Sequence, residues 1–173
     1  MRIHILGGCG CGKTTLAKKL ARDFGLSHYD LDELNWDNTA AQHNTKADPL
    51  RRDARLTEIS STDNWVIEGV YYTWCTPSFR AADCIILLET PRWIRQLRVL
   101  RRFLRKLLTN PHSLRQSEIK NLWSLLCWNH FYDKNDLAKA KTLIAALGRY
   151  PVICHSEAEV RTAMASATTP SAS

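Results

Sequence analysis

The sequence predicts an α/β protein built on a parallel sheet covered by helices on both faces. Short apolar segments recur at 2–6, 27–31, 65–67, 82–88 and 151–154, and segments of helical periodicity fill most of the intervals between them. Acids or glycines follow several of these strands directly, and open α/β sheets place their ligands at the carboxyl ends of their strands. The length of 173 residues fits one domain, at roughly 150 residues per domain. At 45% hydrophobic, a chain of this size can bury a core without metal or disulfide staples.

Each element has its own warrant. Arg2-Ile3-His4-Ile5-Leu6 alternates and then turns apolar, as a short buried strand does. Residues 7–12 form a glycine loop. Leu16, Ala17, Leu20, Ala21 and Phe24 recur at helical spacing after Lys13, and Gly25 is a natural stop. A second strand over 27–31 ends in acids, 35–48 is polar and mixed (an expected mobile excursion), and 50–60 reads as a helix carrying Arg51, Arg52 and Arg55. Trp65-Val66-Ile67 is a third strand running into Glu68-Gly69. The fourth, 82–88, is the most apolar stretch and ends at Glu89-Thr90-Pro91. Helices are expected over 92–108 and 118–128 and a fifth strand over 151–154. The last helix should run over 156–164, with Ser156 as N-cap and Glu159 three residues on. One domain is therefore expected over 1–164, with 165–173 as a frayed tail.

Composition excludes several classes. Lys+Arg 24 against Asp+Glu 17 gives a formal charge of +7, yet eight basic residues and no acid lie between 90 and 117. Without those eight, 16 basic and 17 acidic residues remain, so the basicity belongs to one segment. No apolar run reaches the ~18 residues that span a bilayer. No membrane partner is expected, and Met1 leads into a strand rather than a signal peptide. Cys9, Cys11, Cys75, Cys84, Cys127 and Cys154 lack CxxC spacing, the pattern of reduced thiols in a cytoplasmic protein. The histidines are scattered singly, without the spacing of a zinc site.

Gly7-Gly8-Cys9-Gly10-Cys11-Gly12-Lys13-Thr14 satisfies G-x-x-x-x-G-K-[ST] in full. Glycines let backbone N–H groups converge on phosphate oxygens, and the following helix adds its positive end. Lys13 places an ammonium on the β- and γ-phosphates, and the Thr14 hydroxyl suits Mg²⁺. Residues Gly7 to Thr14, with Thr15 beside them, are the candidate ATP-binding set. The motif establishes a nucleoside triphosphate with Mg²⁺ and leaves the fate of the γ-phosphate open. Cys9 and Cys11 stand where any small residue would serve; alternatively, a thiol at a helix N-terminus has a depressed pKa and is open to oxidation or alkylation.

His28-Tyr29-Asp30-Leu31-Asp32 puts two carboxylates at i and i+2, on one side of an extended segment. Such a pair can hold Mg²⁺ waters, accept a proton from an attacking hydroxyl or bind substrate; otherwise Asp32 caps a helical turn and Asp30 is solvated. Glu68 stands where a Walker-B-type acid reaches Mg²⁺ through water, or is a turn acid. Glu89 competes from strand four, though Thr90-Pro91 reads more as a strand exit. On a helical wheel Trp93, Leu97, Leu100, Phe103, Leu104 and Leu107 fall on one side. Arg92, Arg95, Arg98, Arg101, Arg102, Arg105 and Lys106 cover most of the other, with Val99 and Ile94 as exceptions. That basic face is a solvated surface, a nucleic-acid or anionic-membrane surface, or a lid whose arginines reach a transferred phosphate.

These residues resemble the adenylate-kinase-like branch of P-loop kinases, which holds nucleoside monophosphate, shikimate and gluconate kinases. More closely, the chain resembles the DNA topology modulation (FlaR-like) group. The likeness runs through Ile3 to Gly8, Gly10, Gly12-Lys13-Thr14-Thr15-Leu16-Ala17, His28 to Asp32, Trp65 to Tyr72, Ala82-Asp83 and Pro91-Arg92-Trp93. It implies a P-loop NTPase three-layer sandwich, with a five-stranded parallel sheet of order 2-3-1-4-5, a mobile lid and a mobile acceptor-binding segment. It also implies Mg²⁺ and acceptor roles for Asp30 and Asp32, with Arg98 against adenine and Arg102 against phosphate. The chain departs from adenylate kinase in having Val70-Tyr71-Tyr72 after Gly69, and from shikimate kinase in lacking a glycine-rich segment there. Both departures argue against AMP or shikimate as acceptor, while Arg51, Arg52 and Arg55 are either anion contacts or a solvated face.

The expectation is thus a Mg²⁺-dependent kinase moving the γ-phosphoryl of ATP to a small acceptor. Lys13, Arg98, Arg102 and Asp32 are its catalytic candidates, and Thr14, Asp30 and Glu68 its metal-organising ones. The alternative is an ATP-dependent nucleic-acid-binding regulator of DNA topology acting through helix 92–106.

Overall fold

The computed structural model describes residues 1–37, 45–109 and 116–168. Five strands form one parallel sheet: β1 (Arg2–Leu6), β2 (Ser27–Asp30), β3 (Trp65–Gly69), β4 (Cys84–Leu88) and β5 (Val152–Cys154), in the spatial order β2-β3-β1-β4-β5. The α-helices are α1 (Lys13–Phe24), α2 (Leu31–Asn35), α3 (Pro49–Ser61), α4 (Thr76–Ala81), α5 (Arg92–Thr109), α6 (Gln116–Phe131), α7 (Ala138–Ala146) and α8 (Glu157–Thr168). A π-helical turn, Asp133–Leu137, joins α6 to α7. The chain is a P-loop α/β fold with the expected sheet order.

Strand periodicity sorts the core into two layers. Ile3, Ile5, Val66, Ile86 and Leu88 join Leu16 and Leu20 of α1 and Val160 and Met164 of α8 on one face. Leu6, Ile67, Ile85 and Leu87 join Leu56, Phe79, Tyr132 and Ile144 on the other. The central strand also sends His4 into that second layer. It lies 4.5 Å from the Phe79 ring and 3.0 Å from Ser78 Oγ, and burial lowers its pKa to about 3. Ser78 and Phe79 both come from α4, six residues opened by Thr76-Pro77, which the apolar pattern did not announce.

Boundaries elsewhere move for local reasons. β2 stops at Asp30 because its side chain accepts from Asp32 N at 2.8 Å and caps α2. At the other end, Ser156 caps α8 as expected, its Oγ accepting from Glu159 N at 3.3 Å, while the Glu159 carboxylate accepts from His155 N; α8 runs on to Thr168 rather than ending near Met164. Of the expected tail, 169–173 lie outside the described residues, as do 38–44 of the polar excursion and Arg115 of the basic segment.

The long basic helix is turned opposite to a simple apolar-in wheel. Trp93 is 68% and Leu97 57% exposed, whereas Arg95 is 1% and Val99 3% exposed. The reason is what α5 packs against. Its inner face meets the glycine loop, whose carbonyls accept hydrogen bonds, so arginine rather than leucine is the complementary residue there. Arg95, Arg98, Val99 and Arg102 sit at i, i+3, i+4 and i+7, one helical stripe. The outward apolar stripe instead forms a groove with Trp123, Leu126 and Phe131 of α6.

Candidate active site

The glycine loop leaves the end of β1 beside β3, with Gly7 N donating to Gly69 O at 3.3 Å. Its carbonyls are held from outside. Thr90 Oγ1 donates to Cys11 O at 3.1 Å, Asn129 Nδ2 to Cys9 O at 3.2 Å, and Arg98 Nη1 to Gly10 O and Cys11 O at 3.3 and 3.0 Å. In a trans peptide the next N–H points opposite to the carbonyl, so anchoring these carbonyls turns the Gly10 and Gly12 amides the other way. Three glycines of the loop leave no room for a Cβ, and one on Gly7 would stand 2.7 Å from Leu88 O. A Cβ on Gly8 would stand 1.9 Å from Arg95 Nη1, and one on Gly10, at φ 80°, would stand 2.7 Å from Arg95 O.

A cavity of about 430 Å³ opens over the loop. Cys9, Gly10, Gly12, Lys13, Thr14 and Thr15 line its floor, and Arg98 and Arg102 lean over it from α5. Lys13 is 8% exposed, with Nζ donating to Gly8 O at 3.2 Å. Arg102 Nη2 lies 3.8 Å from Cys9 Sγ. The same cavity is lined by Asp32, Trp36, Glu68 and Tyr71 and by Trp128 from α6. Tyr71 OH donates to Asp32 Oδ1 at 2.8 Å, and burial followed by that carboxylate raises the phenol's pKa. A second cavity of about 400 Å³ lies on the other side of Arg98, against Thr90, Ile94 and His155.

Glu68 is 2% exposed at the end of β3. Burial pushes its pKa up, but the His28 and Thr14 side chains and the Lys13 ammonium more than offset this and hold it below the ordinary glutamate value. Its Oε1 has no hydrogen-bond partner among the described residues, with His28 Nε2 3.8 Å away. Asp30 faces Glu68 across the β2–β3 register. Desolvation, joined by repulsion from Glu68, Asp32 and Glu33, raises its pKa to about 6.

Most of the expected site residues meet in this cavity, with four departures. Gly7 and Gly8 are packing positions behind the loop. Cys11 is buried in the core, and burial raises its thiol pKa, so the expected depression at the helix N-terminus does not hold there. The acid pair is not two carboxylates on one side of an extended strand: Asp30 is occupied as the α2 cap, and Asp32, inside the first turn, faces the cavity alone. Glu89 is bound by Lys141 at 2.5 Å, and Arg52 pairs with Asp53 at 2.8 Å with its guanidinium 4.4 Å over the Trp74 ring.

Sequence reasoning also missed Arg95 as a distinct residue. Its Nη1 donates to Asn129 Oδ1 at 2.9 Å and its Nη2 to Asp133 Oδ2 at 2.5 Å, tying α5 to α6 and the π-helical turn behind the loop. The i, i+3, i+7 spacing of Arg95, Arg98 and Arg102 was the available signal.

A parallel sheet of this order with a GxxxxGK[ST] loop between its first strand and first helix defines a P-loop protein of kinase-like fold. Within that class, the AAA domain family (AAA_18) matches residues 3–119, and the chain belongs to it. It is similar to a cytidylate kinase from Aeropyrum pernix, 30% identical over 110 residues, covering 57% of this chain and 62% of that protein. The chain therefore spans less than two thirds of that curated relative's length. Two solved structures share the fold. Shikimate kinase from Acinetobacter baumannii in complex with shikimate is 17% identical with a TM-score of 0.54, covering 96% of this chain and 94% of that one. The YorR protein from Bacillus subtilis in complex with phosphorylated GDP is 13% identical with a TM-score of 0.56, covering 96% and 95%.

Proposed function

We propose that this protein is a Mg²⁺-dependent kinase that moves the γ-phosphoryl of ATP to a small acceptor. One observation carries the proposal: a single cavity over the glycine loop is lined by Lys13, Arg98 and Arg102 together with the Asp32 carboxylate. Phosphoryl transfer asks little covalent chemistry of a protein and depends on positioning and electrostatic stabilisation. Lys13, Arg98 and Arg102 supply positive charge to the transferred group. Tyr71 occupies Asp32 Oδ1, which fixes the carboxylate and leaves Oδ2 to orient an acceptor hydroxyl and take its proton. The cavity on the other side of Arg98 suits the adenine ring, in keeping with the role that the adenylate kinase resemblance implies for this arginine.

The residues present fit Mg²⁺, a hard cation that takes oxygen ligands and keeps several waters. The Thr14 hydroxyl would hold it directly and Glu68 through water; the buried, unpartnered Glu68 Oε1 beside Thr14 is the supporting observation. When bound, Mg²⁺ would neutralise charge on the phosphates during transfer. Asp30, committed to capping α2, adds negative charge behind Glu68 rather than a ligand.

The finer grouping with DNA topology modulation kinases rests on the His28–Asp32 and Trp65–Gly69 segments of the sequence. Its nucleic-acid reading draws less support, because Arg95 is buried and Arg98 and Arg102 are engaged at the loop. The test is transfer of labelled γ-phosphoryl from ATP to a panel of small acceptors, with Lys13→Ala as control. DNA binding that weakens steeply with salt, with a slope reduced by Arg101→Ala and Arg105→Ala, would favour the regulator instead.

A further inference from the structure

Helices α5 and α6 form an antiparallel hairpin. Arg92 Nη1 lies 3.4 Å from His130 Nε2 at one end, and Phe103 and Lys106 lie beside Asn121 and Leu122 at the other. The inner stripe of α5 meets the glycine loop, and the outer stripe stays uncovered among the described residues. Trp93, Leu97, Leu100 and Leu104 recur there at steps of four, three and four residues, and all four are exposed. On α6, Ile119, Trp123, Leu126 and His130 repeat the same steps. A recurrence of 3.5 residues marks the seam along which helices pack side by side. Two adjacent seams of this kind are half of a four-helix bundle.

The size and shape of this face point to what covers it. Trp93, Leu97, Leu100, Leu104, Trp123 and Phe131 are each between 40% and 69% exposed. At ~150–250 Å² for a whole large side chain, their exposed parts come to roughly 700 Å². Monomers rarely carry an apolar patch of that extent, and a stable pair buries about 800 Å² on each partner. Trp93 and Trp123 border a hollow of about 540 Å³ between the helices. Each copy therefore offers both a hollow and the indoles to fill one, the self-complementarity that a two-fold interface needs. A lipid surface would leave the hollow unfilled.

Charge separates the candidates further. Arg92, Arg101, Arg105 and Lys120, all exposed, neighbour these seams in sequence, and 90–117 contains no acid. Two copies would meet through apolar side chains with like charges along the rim, so their association strengthens as salt screens the repulsion. Contact with a polyanion would weaken with salt.

We infer that the α5–α6 hairpin pairs with the same hairpin of a second copy of this chain, giving a two-fold dimer closed by a four-helix bundle. The inference goes beyond the kinase reading and does not depend on it. Arg95, Arg98 and Arg102 occupy the opposite stripe of α5, so pairing leaves the cavity over the loop open.

Sedimentation equilibrium of the full chain over about 1–100 µM, in about 50 and about 500 mM NaCl, tests it. The expected species has twice the mass of one chain, with a dissociation constant several-fold lower at the higher salt. Leu97→Lys on α5 and Trp123→Lys on α6 should each raise that constant by about 100-fold or more, because every dimer loses two buried apolar side chains. Both substitutions fall on exposed residues, and circular dichroism should show each variant folded; the salt series on the wild type needs no variant at all. A wild-type chain that is monomeric throughout overturns the inference. So does a dimer that both variants leave intact, or one that loosens as salt rises. A monomeric wild type that binds phosphatidylglycerol vesicles or duplex DNA at low salt assigns the face to a polyanion and overturns it as well.

Discussion

Arg95 Nη1 donates to Asn129 Oδ1 at 2.9 Å, while Asn129 Nδ2 donates to Cys9 O at 3.2 Å, so one side-chain pair fastens α5 and α6 to the outside of the phosphate loop. Arg95→Met keeps most of the volume but leaves Asn129 and Asp133 without their donor. Breaking a buried pair costs about 3–5 kcal/mol. Because Asp133 is 45% exposed, the lower end, about 3 kcal/mol, is expected, read by chemical denaturation. Arg95→Lys should recover little, because an ammonium cannot reproduce the two-pronged fork.

The glycines beside Arg95 should separate by mechanism. Gly8→Ala meets the far end of a side chain, at Arg95 Nη1, whereas Gly10→Ala meets backbone at a positive φ. Both should abolish nucleotide binding. Adding Arg95→Ala should return a measurable part of ATP affinity to Gly8→Ala and none to Gly10→Ala, by calorimetry or a fluorescent ATP analogue.

Arg102 leans over the loop without being packed beneath it, which suits a role in transferred charge rather than in nucleotide anchoring. Arg102→Ala should lower kcat by ~10³ or more, the range of arginine-finger contributions, with ATP affinity changed only a few-fold. Unchanged turnover would falsify the assignment.

Asp30 gives a pH signature. Its pKa in the folded chain, raised to about 6 from an ordinary 3.8, means that the native state holds this proton more tightly than the unfolded chain. Stability contributed by the proton is present at low pH and lost as pH rises between about 4 and 6. Asp30→Asn keeps a side-chain oxygen for the α2 cap and removes the charge. It should stabilise the protein by about 1 kcal/mol at pH 8, discounted for partial exposure, and by nearly nothing at pH 4. Equal effects at both pH values would show that the charge is not responsible.

What could be read from the sequence was local. β1, the start of α1 at Lys13 and its stop at Gly25, and the Ser156 N-cap all rest on neighbouring residues, and they stand where the pattern put them. The α4 helix escaped because six residues opened by Thr76-Pro77 carry too short a period to detect. The Asp133–Leu137 turn and α7 escaped because 129–150 mixes polar and apolar residues evenly. The orientation of α5 depended on its partner, a polar loop instead of a sheet, which no periodicity specifies. Trp36, Tyr71 and Trp128 come from three separate segments, so only the fold brings them to one cavity.

Asp32→Asn removes the acceptor-side carboxylate while preserving its shape, so γ-phosphoryl transfer by this variant tests the account most directly. With ATP, Mg²⁺ and the acceptor panel, the wild type should label a small acceptor. Asp32→Asn should lose that transfer by about 10²–10⁴ fold, the span of general acid–base contributions, while binding ATP normally. Equal transfer by both proteins, or ATP turnover in which the phosphoryl group never reaches an acceptor, would contradict the account.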